Sequence, residues 1–302
     1  MVEVRGVGKS YGTNRAALDI SFAAREGEIF GLIGPNGAGK TTVIRIIMNI
    51  LAPDEGEVLF DGSPLIEEDK SRIGYLPEER GLYPKVTVID HLLYFARLKG
   101  RADAESEPRI REWLERFDLA DASNRKCGEL SKGMGQKVQF ISAIAHDPEI
   151  LFFDEPFSGL DPVSVEVLRE AIGDLKKQGK TILFSTHIME QAERLCNRIF
   201  LMNKGREVVS GPLSEVKSRY GTRSVAMEFD GDGSFLRDLP AVEQVIEYPR
   251  YVEVALAADH GPDEVLEASV GRLSISRFEV MSPSLHRIFL DLAGGVLEEV
   301  AR

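Results

Sequence analysis

Short apolar runs alternate with helically spaced ones along the first part of the chain. Ser21–Ala24 and Glu28–Ile33 predict strands, the second ending at a glycine-rich turn. Thr42–Met48 predicts a helix, and Glu57–Phe60 a strand closed by the Asp61-Gly62 turn signal. From Val88 to Phe117 the pattern is helical: Leu92, Leu93, Phe95, Ala96 and Leu98 recur at that spacing, then Ile110, Trp113, Leu114 and Phe117. Ser131 to Ala145 predicts another helix. Ile150–Phe153 and Thr181–Phe184 are apolar strand candidates of the kind buried on both faces of a largely parallel sheet. Between them Val163–Lys177 reads as a helix, capped by Asp161-Pro162 and ended near Gly179. This strand–helix–strand order predicts an α/β core with right-handed crossovers.

Past Gly205 the character changes. Strand candidates are Ser224–Phe229, Val242–Glu247, Val252–Ala257 and Leu273–Val280, with helical segments near Ser234–Asp238, Pro262–Ala268 and Ser284–Leu292. The order β-α-β-β-α-β with a terminal helix is compatible with a ferredoxin-like unit. From Gly221 onward, fifteen acidic residues stand against seven arginines and no lysine, so much of the chain's net charge of −12 sits there. The 302 residues thus divide into a large unit, 1–215, and a small α+β unit, 221–302.

Composition narrows the functional classes. A 43% hydrophobic fraction fits a soluble globular protein with ample core. The acidic balance argues against a nucleic-acid-coating surface, which needs clustered Lys and Arg. Cys127 and Cys196 are too few and too far apart for a disulfide framework and fit a reducing cytoplasm. The N-terminus has no apolar core of signal-peptide length, and no run approaches the roughly 20 apolar residues of a membrane-spanning helix. If a membrane is involved, a separate chain must cross it.

Two motifs carry phosphate chemistry. Gly34-Pro35-Asn36-Gly37-Ala38-Gly39-Lys40-Thr41-Thr42 follows an apolar strand and opens a helix, the context a P-loop requires. Its glycines let backbone N–H groups curl around phosphate oxygens, and the helix N-terminus favours anions. Lys40 can then reach the β- and γ-phosphates, and the Thr41 hydroxyl can ligate Mg²⁺. Ile150–Phe153 delivers Asp154 and Glu155 to a strand's C-terminal end, where parallel α/β sheets bind ligands. Asp154 is placed to hold Mg²⁺ and Glu155 to orient or deprotonate the attacking water. Separately these motifs are also compatible with a structural glycine turn and a solvated strand end. Together they predict a nucleoside triphosphatase.

The remaining features resemble the ABC ATPases. Leu130-Ser131-Lys132-Gly133-Met134-Gly135-Gln136-Lys137, at the start of a helix, resembles the ABC signature, usually LSGGQ followed by a basic residue after a second Gln. Alone, it is equally a Ser N-cap on an ordinary helix. Lys132 and Met134 depart from the family's Gly and Gln, while Ser131 and Gly133 keep its pattern. Ser158-Gly159-Leu160-Asp161-Pro162 looks like the family's D-loop, and His187, after Leu183–Thr186, like its switch histidine. Tyr11 resembles the aromatic residue that stacks on adenine, with simple core filler as the alternative. Leu76-Pro-Glu78-Glu79-Arg80-Gly-Leu-Tyr-Pro84 occupies the Q-loop position, with Glu78 where the family usually has Gln. A carboxylate there could ligate Mg²⁺ but offers no amide N–H. The loop is similar to that of drug- and sodium-exporter ATPases. The stretch Ser282-Pro-Ser-Leu-His-Arg-Ile-Phe-Leu-Asp-Leu292 resembles the C-terminal extension of many exporter-type subunits, more loosely.

The resemblance spans roughly residues 1–215, because these elements occur in the family's order. It implies a P-loop cassette with a helical subdomain at about 86–140, binding ATP and Mg²⁺. It also implies a second copy of the chain, which Ser131, Lys132, Gly133, Met134 and Asp161 would meet across the dimer. The partner it implies is a separate transmembrane permease at the inner face of the cell membrane, with export preferred. The rivals are a soluble ABC ATPase acting on ribosomes or DNA, and a P-loop kinase or GTPase. The first typically carries two cassettes or long coiled coils, absent here; the second has no use for the signature or His187.

Overall fold

A computed structural model describes residues 1–79, 81–220, 224–257, 259–281 and 283–300, with backbone alone at 281 and 293–300. Arg80 and Ser282 of the motifs above lie outside the described residues. The chain forms two compact units, Met1–Gly211 and Pro212–Arg302.

The larger unit opens with an antiparallel pair, β1 (Val2–Tyr11) and β2 (Asn14–Ala24), then β3 (Ile29–Ile33) and the short helix α1 (Lys40–Ile47). β1 escapes a period-two reading because its register slips between Val4 and Val7, so that Val2, Val4 and Val7 are all buried. Next come β4 (Glu55–Phe60), β5 (Ser63–Pro64) and β6 (Ile73–Leu76). The helical stretch follows as α2 (Val88–Leu98), α3 (Asp103–Arg116) and α4 (Lys132–Ile144), the two groups of helically spaced residues between Val88 and Phe117 falling on α2 and on α3 with its C-cap. β7 (Ile150–Asp154), α5 (Pro162–Lys177), β8 (Thr181–Thr186), α6 (Met189–Leu195), β9 (Arg198–Asn203) and β10 (Arg206–Pro212) complete it.

β2-β1-β4-β5 make one sheet and β10-β9-β3-β8-β7-β6 another. In the second, β9-β3-β8-β7-β6 run parallel. Every residue of β3, β7 and β8 is buried, which explains their apolar runs at 29–33, 150–153 and 182–184; polar residues Asp154, Ser185 and Thr186 come at the C-terminal ends of β7 and β8. One hydrophobic cluster joins Val4 and Ile20 of the first sheet, Val43 and Ile47 of α1, and Phe30, Phe152 and Phe200 of the second. α4 is tied to the helical region and to β7 through Phe140, which meets Trp113, Phe117 and Phe153.

The smaller unit contains α7 (Leu213–Arg219), β11 (Ser224–Asp230), β12 (Val242–Glu247), β13 (Val252–Leu256), α8 (Pro262–Ser269), β14 (Ser274–Met281) and α9 (Leu285–Val300). Its sheet order, β12-β13-β11-β14 with antiparallel pairs, is the interleaved order of a ferredoxin-like unit. A 3₁₀ turn at Ser234–Asp238 replaces the first helix. Among the described residues no helix is long and apolar enough to cross a membrane.

Candidate nucleotide site

β3 runs out at Ile33 and the chain turns through Gly34–Gly39 into α1. Gly39, at φ 108°, is the N-cap, and a Cβ there would stand 2.0 Å from the Ala16 carbonyl oxygen. Only glycine fits that turn. Lys40, at the first position of the helix, is folded inward with its side chain 6% exposed. Its Nζ donates to Gly34 O at 2.8 Å and Pro35 O at 3.2 Å and stands 3.7 Å from Glu155 Oε1. Burial lowers the Lys40 pKa below the ordinary lysine value, opposed by the negative charges of Glu155, Asp154 and Glu78. An open cleft of about 330 Å³ lies over this loop. Its lining is Tyr11, Asn14 and Ala16 on one side, the loop Asn36–Thr42, and then Glu78 and Glu155.

The two acids after β7 have different surroundings. Asp154 is fully buried; the Ser185 hydroxyl donates to Oδ1, while Oδ2 has no partner among the described residues. Glu155 holds the left-handed backbone conformation, φ 49°, a strain of the kind kept at functional sites. Its N–H bonds both Ser185 O and Ser185 Oγ at 3.2 Å, and its carbonyl accepts from Ser158 N–H at 3.1 Å. Its Oε1 lies 2.9 Å from His187 Nδ1. Ser185 was not legible as a site residue, because only the parallel register, in which Asp154 faces Ser185, brings them together. Asn14 and Ala16 reach the cleft for a similar reason, through the return of β2 beside β1.

The sequence-selected residues therefore fall into two groups. Tyr11, half exposed at the end of β1, meets the P-loop, Glu78 and Glu155 around the cleft; His187 bonds Glu155 directly, and Asp154 is linked to the Glu155 N–H through the Ser185 hydroxyl. Gly34 and Pro35 contribute through their carbonyls. Ser131, Lys132, Gly133, Met134 and Asp161 are not in the lining. Ser131 caps α4, its hydroxyl accepting from Met134 N–H at 3.3 Å. Asp161 caps α5, accepting from Ser164 N–H at 3.0 Å and Ser164 Oγ–H at 2.6 Å. The Lys132 stem lies over Gly159, where a Cβ would meet Lys132 Cε at 2.7 Å.

A family model described as ABC transporter matches residues 17–158. The chain is 44% identical to the uncharacterized ABC transporter ATP-binding protein YhaQ of Bacillus subtilis, over 99% of this chain and 100% of that protein. This chain belongs to the ABC transporter ATP-binding proteins. As such it binds and hydrolyses ATP. A second model, for the C-terminal domain of DrrA1-3-like ATP-binding proteins, matches residues 211–293 of this ABC ATPase. The Nod factor export ATP-binding protein I of Paraburkholderia xenovorans is 37% identical, over 80% of this chain and 82% of that protein. Among solved structures, a dimeric bacterial ABC transporter cassette superposes with a TM-score of 0.66 at 27% identity, covering 70% of this chain and 99% of that one. These matches are to transport subunits, not to ribosome- or DNA-acting ATPases.

Proposed function

We propose that this ATPase powers an exporter, closing on a second copy of itself around MgATP at the cytoplasmic face of the membrane and driving a separate permease. The observation that carries this is the division of the site. One set of residues surrounds the cleft of the chain, and the signature and D-loop residues stand outside it. A second copy would supply Ser131, Lys132, Gly133, Met134 and Asp161 to complete it. The dimeric cassette among the structural matches supports that geometry. The Nod factor export subunit supports the outward direction.

In this reading Tyr11 stacks on the adenine, and the Gly34–Thr42 loop and Lys40 neutralise the phosphates. The orphan Asp154 Oδ2, with the Thr41 hydroxyl and Glu78 carboxylate, makes a donor set that fits Mg²⁺. The ion supplies charge neutralisation of the phosphates when bound. Glu155 orients the water and takes its proton as the water oxygen attacks the γ-phosphorus. The bond to the β–γ bridging oxygen then breaks, leaving ADP and phosphate. His187 holds the Glu155 carboxylate in register. A short permease helix would dock on the face where Tyr83 and, on α2, Tyr94 are exposed and pack edge to face.

Affinity purification of a tagged Glu155→Gln chain from detergent-solubilised native membranes, with ATP present, tests the proposal. A polytopic membrane protein recovered in equal amounts is the expected result. Ribosomes or DNA-bound proteins without a membrane subunit would overturn it.

A further inference from the structure

The loop that carries Glu78 is held by the helix that begins at the signature. Gln139, on α4, is 5% exposed. Its Nε2 donates to Pro77 O at 3.2 Å and to Glu79 O at 3.0 Å, the carbonyls of the residues on either side of Glu78. One amide group therefore ties the backbone on both sides of the Glu78 Cα. One helical turn earlier, a Cβ at Gly135 would stand 3.4 Å from Leu82 Cδ1, so the same loop lies close along this face of α4. Gln136 plays the matching part for the other acid, donating from Nε2 to Pro156 O at 3.1 Å.

The cost of this arrangement points to use. Gln139 Oε1 is buried with no hydrogen-bond partner among the described residues. An apolar side chain of the same size would fill this position without an amide to satisfy. The return for the buried amide is the pair of bonds about Glu78. Glu78 itself lines the cleft with Lys40 and Glu155.

We infer that Gln139 is a positioning residue for ATP hydrolysis, fixing the backbone about Glu78 so that its carboxylate stays turned to the phosphate end of the cleft. α4 then links its own N-terminal signature to both acid-bearing loops, through Gln139 to Glu78 and through Gln136 to the turn after Glu155. A shift of the signature on pairing with a second copy is felt at both. Because catalytic groups lose much of their effect when displaced by an ångström, a tether outside the cleft matters to rate. The inference rests on the role given to Glu78 above.

The test is a double-mutant cycle in the full chain. Gln139→Met keeps the volume and removes the donor; Gln139→Glu keeps the shape, removes the donor and sets a carboxylate against two carbonyls. Each is made with Glu78 intact and with Glu78→Ala. The readouts are kcat and KM, the ATP dissociation constant with Mg²⁺ and with EDTA, and the melting temperature. With Glu78 present, Gln139→Met should lower kcat about tenfold and weaken Mg²⁺-dependent ATP binding. Binding in EDTA should move by less than about twofold, and in the Glu78→Ala background the second change should add nothing. Equal losses in both backgrounds, or equal losses with and without Mg²⁺, would overturn the inference. Should the Met variant lose the fold, the Glu variant carries the same comparison. If Glu78→Ala alone leaves Mg²⁺-dependent binding unchanged, the role given to Glu78 fails, and the inference with it. A Glu78→Ala effect that does not couple to Gln139 sinks the inference alone.

Discussion

His187 Nδ1 and Glu155 Oε1 meet at 2.9 Å, one residue beyond the ends of the neighbouring parallel strands β8 and β7. The same carboxylate oxygen is 3.7 Å from Lys40 Nζ, so one acid joins the P-loop to His187. Replacing Glu155 by Gln keeps the shape and a partner for His187 but removes the proposed base. Hydrolysis should fall by at least about 100-fold while ATP still binds. Replacing His187 by Ala frees the carboxylate, and kcat should fall with little change in ATP affinity. Phosphate release and equilibrium binding of a fluorescent ATP analogue check both.

Ser185 serves two acids with one hydroxyl, donating to Asp154 Oδ1 and accepting from Glu155 N–H. Ser185→Ala leaves a fully buried carboxylate oxygen without its donor. Stability should drop by about 1–3 kcal/mol, the cost of an unsatisfied buried polar group. The Mg²⁺ concentration needed for half-maximal ATPase should change as well, because Asp154 loses its orientation. Urea denaturation and a Mg²⁺ titration separate the two effects.

The sequence was most informative where a local pattern fixes local geometry. The P-loop shows in Gly34–Thr42 because strand, glycine turn and helix are contiguous, and the buried strands β7 and β8 show because both faces demand apolar side chains. What escaped depends on contacts between distant segments. β1 hides its alternation behind a register slip. Ser185 is unremarkable until β7 and β8 align. Gln139 reads as a polar residue on a helix, and its meaning lies in two carbonyls some sixty residues away. The split between cleft residues and signature residues was expected only from the family resemblance, since the motifs follow one another along the chain without saying which face each other; the cleft lining omits Ser131, Lys132, Gly133, Met134 and Asp161.

Two buried histidines should set the acid limit of stability. Burial lowers the pKa of His91, packed on Tyr83 and Phe95, to about 4. His146, bonded through Nε2 to Ile73 O at 3.1 Å, is also lowered to about 4, by burial and then by Lys99, Arg101 and Arg109. Both are neutral in the fold, whereas a histidine in the unfolded chain has a pKa of about 6.5. Between pH 6.5 and 4 the unfolded chain therefore binds protons that the folded chain does not. Stability should fall with pH through that window, by on the order of 3 kcal/mol per histidine. His91→Leu should flatten the dependence, read as urea midpoints at pH 7 and pH 5. An unchanged slope would show that the fold does not lower the His91 pKa.

Gly37 and Gly39 separate folding from binding within one loop. Both have positive φ, 78° and 108°. A Cβ on Gly39 would collide with the Ala16 carbonyl at 2.0 Å, whereas one on Gly37 meets no protein atom within 4 Å. Gly37 lines the cleft, so its added methyl would occupy space over the loop where phosphate must approach the backbone. Gly39→Ala should lose about 2 kcal/mol or more of stability, because backbone strain and a backbone clash add. Gly37→Ala carries the strain alone and should cost about 1 kcal/mol, yet weaken ATP binding as severely. Melting temperatures with and without MgATP decide this. Gly39→Ala should melt low in both conditions, and Gly37→Ala should melt near the parent without nucleotide and gain nothing when it is added.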